Sequence, residues 1–275
     1  MTKRIAIQGI EGSFHHIVSQ TYFEEPVVVQ PYLSFGEVVE SLISKTADVA
    51  IMALENSIAG SIIPNYAHID DQDLHITGEY FLEIQHNLMA LKGQSIQDIN
   101  EVFSHPMALL QCKEFFKQYP HIKLIEDTDT AEVAKRISDH QLKGVAAIAS
   151  LQAAQLFELN ILAKSIQTIQ HNETRFVIVE RNSIEQQTAL INKASVKFLL
   201  DHKRGSLAAM LNVMSDCNLN LTKIQSLPKI DTPWKYAFFV DITFENYADY
   251  EKGKAIMKIM AEEFKILGEY KNAKK

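Results

Sequence analysis

Only two cysteines, Cys112 and Cys217, occur in the 275 residues. So far apart in the chain, they make neither a disulfide framework nor a zinc knuckle. Basic residues are in the minority: 27 Lys and Arg against 34 Asp and Glu leave a net charge of −7. No basic run exceeds the terminal Lys274-Lys275. A chain of that sign has no electrostatic reason to seek nucleic acid or an acidic membrane surface. Long apolar runs are missing too, none approaching the ~18–20 residues that span a bilayer. The start, Met1-Thr2-Lys3-Arg4-Ile5, enters a strand-like pattern at once, which leaves no room for a signal peptide. The histidines, the adjacent pair His15-His16 included, supply no two four residues apart that would hold a metal from one helix face. These absences point to a cytoplasmic protein that acts on small molecules without a metal. What is present is apolar material, 47% of positions, enough for more than one core. At ~100–200 residues per domain, two domains are the first expectation.

The first half alternates strands with helices. Ile5 and Ile7 make a short strand ending at Gln8-Gly9, and Phe14, Ile17, Val18 and Tyr22 then recur at helical spacing. Val27-Val28-Val29 is a strand; Phe35, Val38, Val39, Leu42 and Ile43 form a helical stripe; Asp48 to Leu54 is a buried strand. A similar order restarts after about residue 84. Strands are predicted at Leu88–Leu91, Glu101–Ser104, Ile122–Ile125 and Val145–Ala149, and helices at Met107–Tyr119, Ala131–Ile137 and after Ser150. Phe176–Glu180 is one further strand. Two α/β lobes of this kind leave a cleft where strand ends and helix starts meet. Arg181–Lys193 is polar, carries no apolar period and reads as a linker, with a boundary near residue 190. Beyond it come a strand (Val196–Leu200), a helix (Leu207–Met214), strands at Leu219–Leu227 and Tyr236–Phe244, a helix (Ala248–Phe264) and a last strand (Lys265–Tyr270). That βαββαβ order fits a ferredoxin-like module.

Several segments could carry chemistry, and each also has a plain structural reading. Gln8-Gly9-Ile10-Glu11-Gly12-Ser13 is either a turn or a set of helix-start amides suited to an anion. Glu55-Asn56-Ser57 follows a buried strand, so it stands at a sheet's ligand-binding edge or caps a helix. His105, in Ser104-His105-Pro106, is an acid, a base, an orienter or a satisfied structural histidine. Cys112 falls among apolar helix positions and reads as core. In Asn172-Glu173-Thr174-Arg175-Phe176, the arginine either holds a carboxylate through paired hydrogen bonds or lies on the surface.

In order along the chain, Gly9-x-x-Gly12-Ser13-Phe14-His15, Leu54-Glu55-Asn56-Ser57-x-x-Gly60, Ser104-His105-Pro106-x-x-x-x-Gln111-Cys112, Ala147-Ile148-Ala149-Ser150 and Asn172-x-Thr174-Arg175-Phe176 resemble the prephenate dehydratase family. The C-terminal module, with Arg204-Gly205-Ser206-Leu207 and Leu219-Asn220-Leu221-Thr222-x-Ile224-Gln225-Ser226-Leu227-Pro228, resembles the ACT domain that senses phenylalanine in that family. The resemblance implies an α/β protein with a two-lobed, periplasmic-binding-protein-like catalytic domain over residues 1–181. Lobe one would take about 1–80 plus 174–181, and lobe two about 81–173. A ferredoxin-like ACT domain would fill 193–275. Where the family has Gly-Pro-x-Gly, this chain has Gly9-Ile10-Glu11-Gly12. Where the ACT module has Glu-Ser-Arg-Pro, this chain has Gln225-Ser226-Leu227-Pro228 and so lacks both charges.

The implied reaction converts prephenate to phenylpyruvate, water and carbon dioxide. The electron pair released with carbon dioxide expels the ring hydroxyl, so neither a redox cofactor nor an electron sink is needed, and none is expected. The hard part is hydroxide as a leaving group, which calls for a nearby proton donor. By resemblance that donor is Thr174. Arg175, Phe176, Asn56 and Ser57 complete the expected catalytic group. Gly12, Ser13, Glu55, Ser104, His105, Gln111, Thr128, Asp129, Thr130 and Ser150 are expected to bind substrate. Gly205, Ser206, Leu207, Asn220, Gln225 and Ser226 are expected to hold L-phenylalanine as effector, in a homodimer or tetramer. Two alternatives stay open: arogenate dehydratase activity, or a non-enzymatic two-lobed binding protein. A fused chorismate mutase is not expected, for want of an extra helical segment.

Overall fold

Fully buried Ile5, Ala6 and Ile7 place the first strand, β1 (Arg4–Gln8), in the middle of a sheet. Such a run suits a parallel strand covered by helices on both faces. In the computed structural model, which describes residues 2–183, 188–229 and 235–274, β1 pairs in parallel with β2 (Val28–Tyr32) and with β3 (Val49–Asn56). Helices α1 (Phe14–Tyr22) and α2 (Phe35–Ile43) connect them. In α2, Ser34 and Glu37 form a capping box while Val38, Val39 and Leu42 bury one face, the pattern that makes it legible from spacing alone.

After β4 (Gly60–Ser61), α3 (Ile63–Asp71) and β5 (His75–Glu83) the chain builds a second sheet. It comprises β6 (Asn87–Ala90), β7 (Glu101–Ser104), α4 (Pro106–Phe116), β8 (Lys123–Glu126), α5 (Thr130–Asp139), β9 (Val145–Ala149), α6 (Leu151–Leu156) and β10 (Asn160–Ala163). Its order is β10-β6-β9-β7-β8; β7 runs parallel to β8 and β9, and β6 antiparallel to β9 and β10. Then β11 (Glu173–Glu180) returns to the first sheet, whose order is β2-β1-β3-β11-β5 with β4 on β3.

The last elements are β12 (Lys193–Leu199), α7 (Ser206–Asp216), β13 (Asn220–Pro228), β14 (Tyr236–Thr243), α8 (Tyr247–Met260) and β15 (Glu263–Tyr270). They form an antiparallel sheet of order β13-β14-β12-β15, the βαββαβ, ACT-like module expected. By packing, the chain divides into two compact units. One takes residues up to Gly60 together with Phe81–Phe176, the other Ser61–Tyr80 together with Val177 onward. The backbone passes between them at Gly60/Ser61, Tyr80/Phe81 and Phe176/Val177.

Within the second unit β12 alternates strictly. Ala194, Val196 and Phe198 enter the core with Met210, Met214, Tyr250 and Met257 of the helices. The intervening Lys193, Ser195 and Lys197 face the other way, yet they too are covered, by α3, β5 and their own sheet. Lys193 donates to both oxygens of Glu79 at 2.9 and 2.8 Å, with side chains 6% and 0% exposed. Lys197 pairs with Asp70 at 2.7 Å, and Lys265 of β15 with Asp70 and Asp73. Ser195 donates to Asp241 and shares a hydrogen bond with Tyr270. Gly268 has no room for a side chain, since a Cβ there would stand 2.1 Å from the Ile76 carbonyl oxygen.

Four elements escape the sequence reading: α3, β4, β5 and β10. In α3 only Asn65, Tyr66 and Ile69 are buried, too sparse to print an apolar period. The helix expected through Phe264 ends at Met260, and Phe264 lies in β15. Met257, Met260 and Phe264 happen to keep helical spacing across the break, with no glycine or proline to mark it. The expected linker also ends early, because Lys193 opens β12 with its side chain buried; residues 184–187 of that segment lie outside the described residues.

Candidate active site

Asn56 closes β3, and no helix follows it for the residue to cap. Its Oδ1 accepts from the backbone N–H of Ile58 (3.0 Å) and Ala59 (2.8 Å), which tightens the turn into Gly60. With the oxygen so engaged, the amide nitrogen must face β11. It donates to Asn172 Oδ1 at 2.7 Å and to Thr174 Oγ1 at 2.9 Å. Ser57 clamps the same junction, its N–H donating to the Glu173 carbonyl (2.8 Å) and its Oγ accepting from the Glu173 N–H (2.9 Å). Thr174 is 7% exposed. Its oxygen accepts from Asn56, and among the described residues nothing accepts its own proton.

The line continues into the second sheet. Asn172 donates from Nδ2 to Gln111 Oε1 at 2.9 Å, and His86 Nε2 reaches the same oxygen at 2.9 Å. The Gln111 carbonyl is held by the N–H and Oγ1 of Thr168. His86 is 4% exposed, and burial lowers its pKa from 6.5 to about 4. It is therefore neutral at neutral pH, and since Gln111 Oε1 can only accept, the proton sits on Nε2. The other nitrogen, Nδ1, is buried without a partner among the described residues.

Helix starts bring the remaining candidates in. Ser13 caps α1, accepting from His16 N–H at 3.2 Å. Ser150 caps α6, accepting from Ala153 N–H at 2.9 Å, and its hydroxyl donates to the Gly12 carbonyl at 2.6 Å. The two glycines of the first motif earn their place by geometry. Gly12 has φ +87°, and a Cβ would lie 3.0 Å from Ala153 Cα; Gly9 also has φ +87°, and its Cβ would lie 2.9 Å from Asp129 Oδ2. Asp129 caps α5 by accepting from Ala131 and Glu132 N–H, and burial pushes its carboxyl pKa up. Thr130 is the buried first residue of α5, while Thr128 is exposed and engaged with Asp127 and Glu132.

Other expected residues stand elsewhere. Ser104 is fully buried and donates to the Ile148 carbonyl at 2.7 Å. His105 is an exposed cap of α4, accepting from Met107 N–H. Phe176 packs edge-on against His15, ring centroids 4.9 Å apart. Strand alternation sends Thr174 and Phe176 to one face and Arg175, 4% exposed, to the opposite one. Glu55 is half-buried beside the Asn56 turn. Cys112 lies in the core, its thiol pushed up to about 12 by burial. Among the described residues no cluster of His, Cys, Asp and Glu could hold a metal ion.

The expected effector residues split into two places. Gly205, at φ +88°, Ser206 and Leu207 start α7 after the end of β12. Gln225 and Ser226 pair with Phe239 and Phe238, level with Lys197 and Phe198. Asn220 pairs with Thr243, level with Lys193 at the other end of the sheet, and so stands apart. Two residues outside the expected site join its hydrogen-bond line, Asn172 and His86. Asn172 belongs to the Thr174 motif itself; His86 has no sequence signal, being near Gln111 only in space.

Residues 5–184 match the family model described as prephenate dehydratase. Arogenate dehydratase 2 of Petunia hybrida is 39% identical over 225 residues, which cover 82% of this chain and 57% of that protein. Arogenate dehydratase/prephenate dehydratase 2, chloroplastic, of Arabidopsis thaliana is 35% identical over 281 residues, covering 97% and 72%. The chain thus spans between just over half and about seven-tenths of these curated relatives. The crystal structure of prephenate dehydratase from Staphylococcus aureus superposes with a TM-score of 0.83 at 26% identity, covering 97% of this chain and 99% of that one. The quorum-quenching acylase GqqA superposes at 0.88 with 23% identity, covering 99% of each, and shares the fold.

Proposed function

From the membership of this chain in the prephenate dehydratase family, a family of carbon–oxygen lyases, we propose that it decarboxylates and dehydrates prephenate to phenylpyruvate, a step toward phenylalanine, in the cytoplasm. The observation that carries the reading is the Asn56–Thr174 hydrogen bond. Because the Asn56 oxygen is tied to two backbone amides, its nitrogen can only donate, and Thr174 Oγ1 accepts. The threonine proton is thereby left for an outside acceptor, and the departing ring hydroxyl is such an acceptor.

A threonine hydroxyl is a very weak acid. It acts late, as a hydrogen bond or relay to oxygen that is gaining negative charge while the C–C pair of the leaving carboxylate flows into the ring. A positioned donor of this kind supplies on the order of 3–5 kcal/mol. Gln111 stands next along the line as a substrate-side residue. The amides at the starts of α1 and α6, beyond Ser13 and Ser150, suit the carboxylate that stays. The one that leaves is better held weakly, since a strong pair would stabilise the ground state. Arg175 follows Thr174 in β11 and is buried on the opposite face of that strand. Residues 1–181 would form the catalytic domain and 193–275 a regulatory ACT domain, with L-phenylalanine bound near Gly205–Leu207, Gln225 and Ser226 in a homo-oligomer.

Incubation of the purified protein with prephenate, followed by phenylpyruvate absorbance with and without phenylalanine, tests both parts. Thr174→Val should lower kcat by about two to three orders of magnitude with little change in KM. Equal losses in both would remove Thr174 as the donor.

A further inference from the structure

Asn56, Asn172, Gln111 and His86 form one hydrogen-bond line in which every direction follows from its anchor. Two backbone amides hold the Asn56 oxygen, so Asn56 donates to Asn172; the Asn172 oxygen accepts, so its nitrogen donates to Gln111. Gln111 Oε1 then takes a second hydrogen bond from His86 Nε2, which fills both lone pairs of that oxygen. A flipped Gln111 would set its NH2 against the NH2 of Asn172 and the N–H of His86. Gln111 is half-buried, and its Nε2 has no partner among the described residues. The NH2 group is therefore the part of this side chain left for a ligand.

We propose that His86 is a positioning residue that, with Asn172, locks Gln111 as a hydrogen-bond donor and so biases the site toward a 2-oxo acid over the corresponding 2-amino acid. The proposal rests on the reading above that Gln111 faces the substrate. A keto or carboxylate oxygen accepts from Gln111 and Thr174. An ammonium group in the same place would bring donors against donors, and a site of fixed polarity rejects the analogue that cannot pair with it. The burial of His86 fits this role. An imidazole with one nitrogen enclosed and unpaired calls for an explanation, and here the other nitrogen supplies it.

The test compares kcat/KM for prephenate and arogenate in the wild type, His86→Leu and His86→Gln. The wild type should favour prephenate. His86→Leu leaves Asn172 alone to hold the Gln111 amide, so kcat/KM for prephenate should fall about tenfold, the size of one hydrogen bond, while that for arogenate falls less. His86→Gln, which keeps an N–H near the same point, should restore most of the discrimination. Equal losses on both substrates in a folded His86→Leu protein, or a His86→Gln protein no better than His86→Leu, overturns the proposal. Nitrogen-15 NMR of the imidazole gives a reading independent of turnover and of whether the leucine variant folds. His86 should appear as the Nε2–H tautomer at neutral pH and lose that preference in Gln111→Leu; an Nδ1–H tautomer in the wild type also overturns it. If neither substrate reacts, the reaction assigned above fails, and the tautomer still decides the lock.

Discussion

His15 and His86 are both held neutral by burial, with pKa values lowered from 6.5 to about 3 and about 4. An unfolded chain protonates both as the pH drops below the ordinary histidine value, whereas the folded chain does not. Between pH 6.5 and 4 the unfolded state thus binds more protons, and stability falls with acidification by ~1.4 kcal/mol per pH unit for each histidine. The His86 contribution levels off below about pH 4, and that of His15 below about pH 3. His15 sits between Phe35 and Phe176, at 5.4 and 4.9 Å, so His15→Phe keeps the ring contacts and removes one titrating group. Urea denaturation as a function of pH should show an unchanged or higher midpoint at pH 7 and about half the acid slope contributed by the pair. An unaltered slope would mean that His15 is protonated in the folded protein.

Elements carry a different kind of requirement. Gly12 lies in the left-handed region with the start of α6 directly against it, so Gly12→Ala meets both backbone strain and the Ala153 Cα. A loss of ~1–3 kcal/mol is expected, read as a lower thermal midpoint; an unchanged midpoint would mean that the two segments can separate freely. This motif, like the turn at Asn56 and the Thr174 strand, was legible because its residues are neighbours in the chain, and local spacing encodes local geometry. The helix cap considered at Asn56 fails because no helix follows: its oxygen accepts from Ile58 and Ala59 N–H in a turn, while its amide nitrogen reaches Asn172 and Thr174, over a hundred positions away. His86 was illegible for the same cause, since only the folded backbone brings it to Gln111. Among elements, α2 announces itself through a capping box and a full stripe. By contrast, α3 buries only Asn65, Tyr66 and Ile69, and its Asp70 turns to Lys197 and Lys265, which leaves no apolar period to read.

For the whole molecule, the covered polar face of the C-terminal sheet matters most. Glu79→Leu removes the partner that neutralises the enclosed ammonium of Lys193, and ~3–5 kcal/mol of stability should go with it. The double variant Glu79→Leu/Lys193→Met replaces the pair with apolar groups of similar volume and should recover most of the loss in chemical denaturation; no recovery would mean that Glu79 acts through other partners. The same face bears on truncation. The sequence alone suggests a module that could be cut off before residue 194. Because Ser61–Tyr80 packs with Val177 onward, such a chain would leave Asp70 without Lys197 and Lys265, and Lys193, the partner of Glu79, without the strand that holds it. It should unfold at a lower denaturant concentration than the full chain; equal midpoints would show that α3 and β5 need no cover.

The points at which the backbone leaves one unit for the other have a mechanical corollary. Gly60/Ser61 lies just past the Asn56 turn, Tyr80/Phe81 just ahead of His86, and Phe176/Val177 just after Thr174. Each crossing thus lies a few residues along the chain from one station of the hydrogen-bond line. Strain carried along the backbone at any one crossing therefore reaches that line within a few residues.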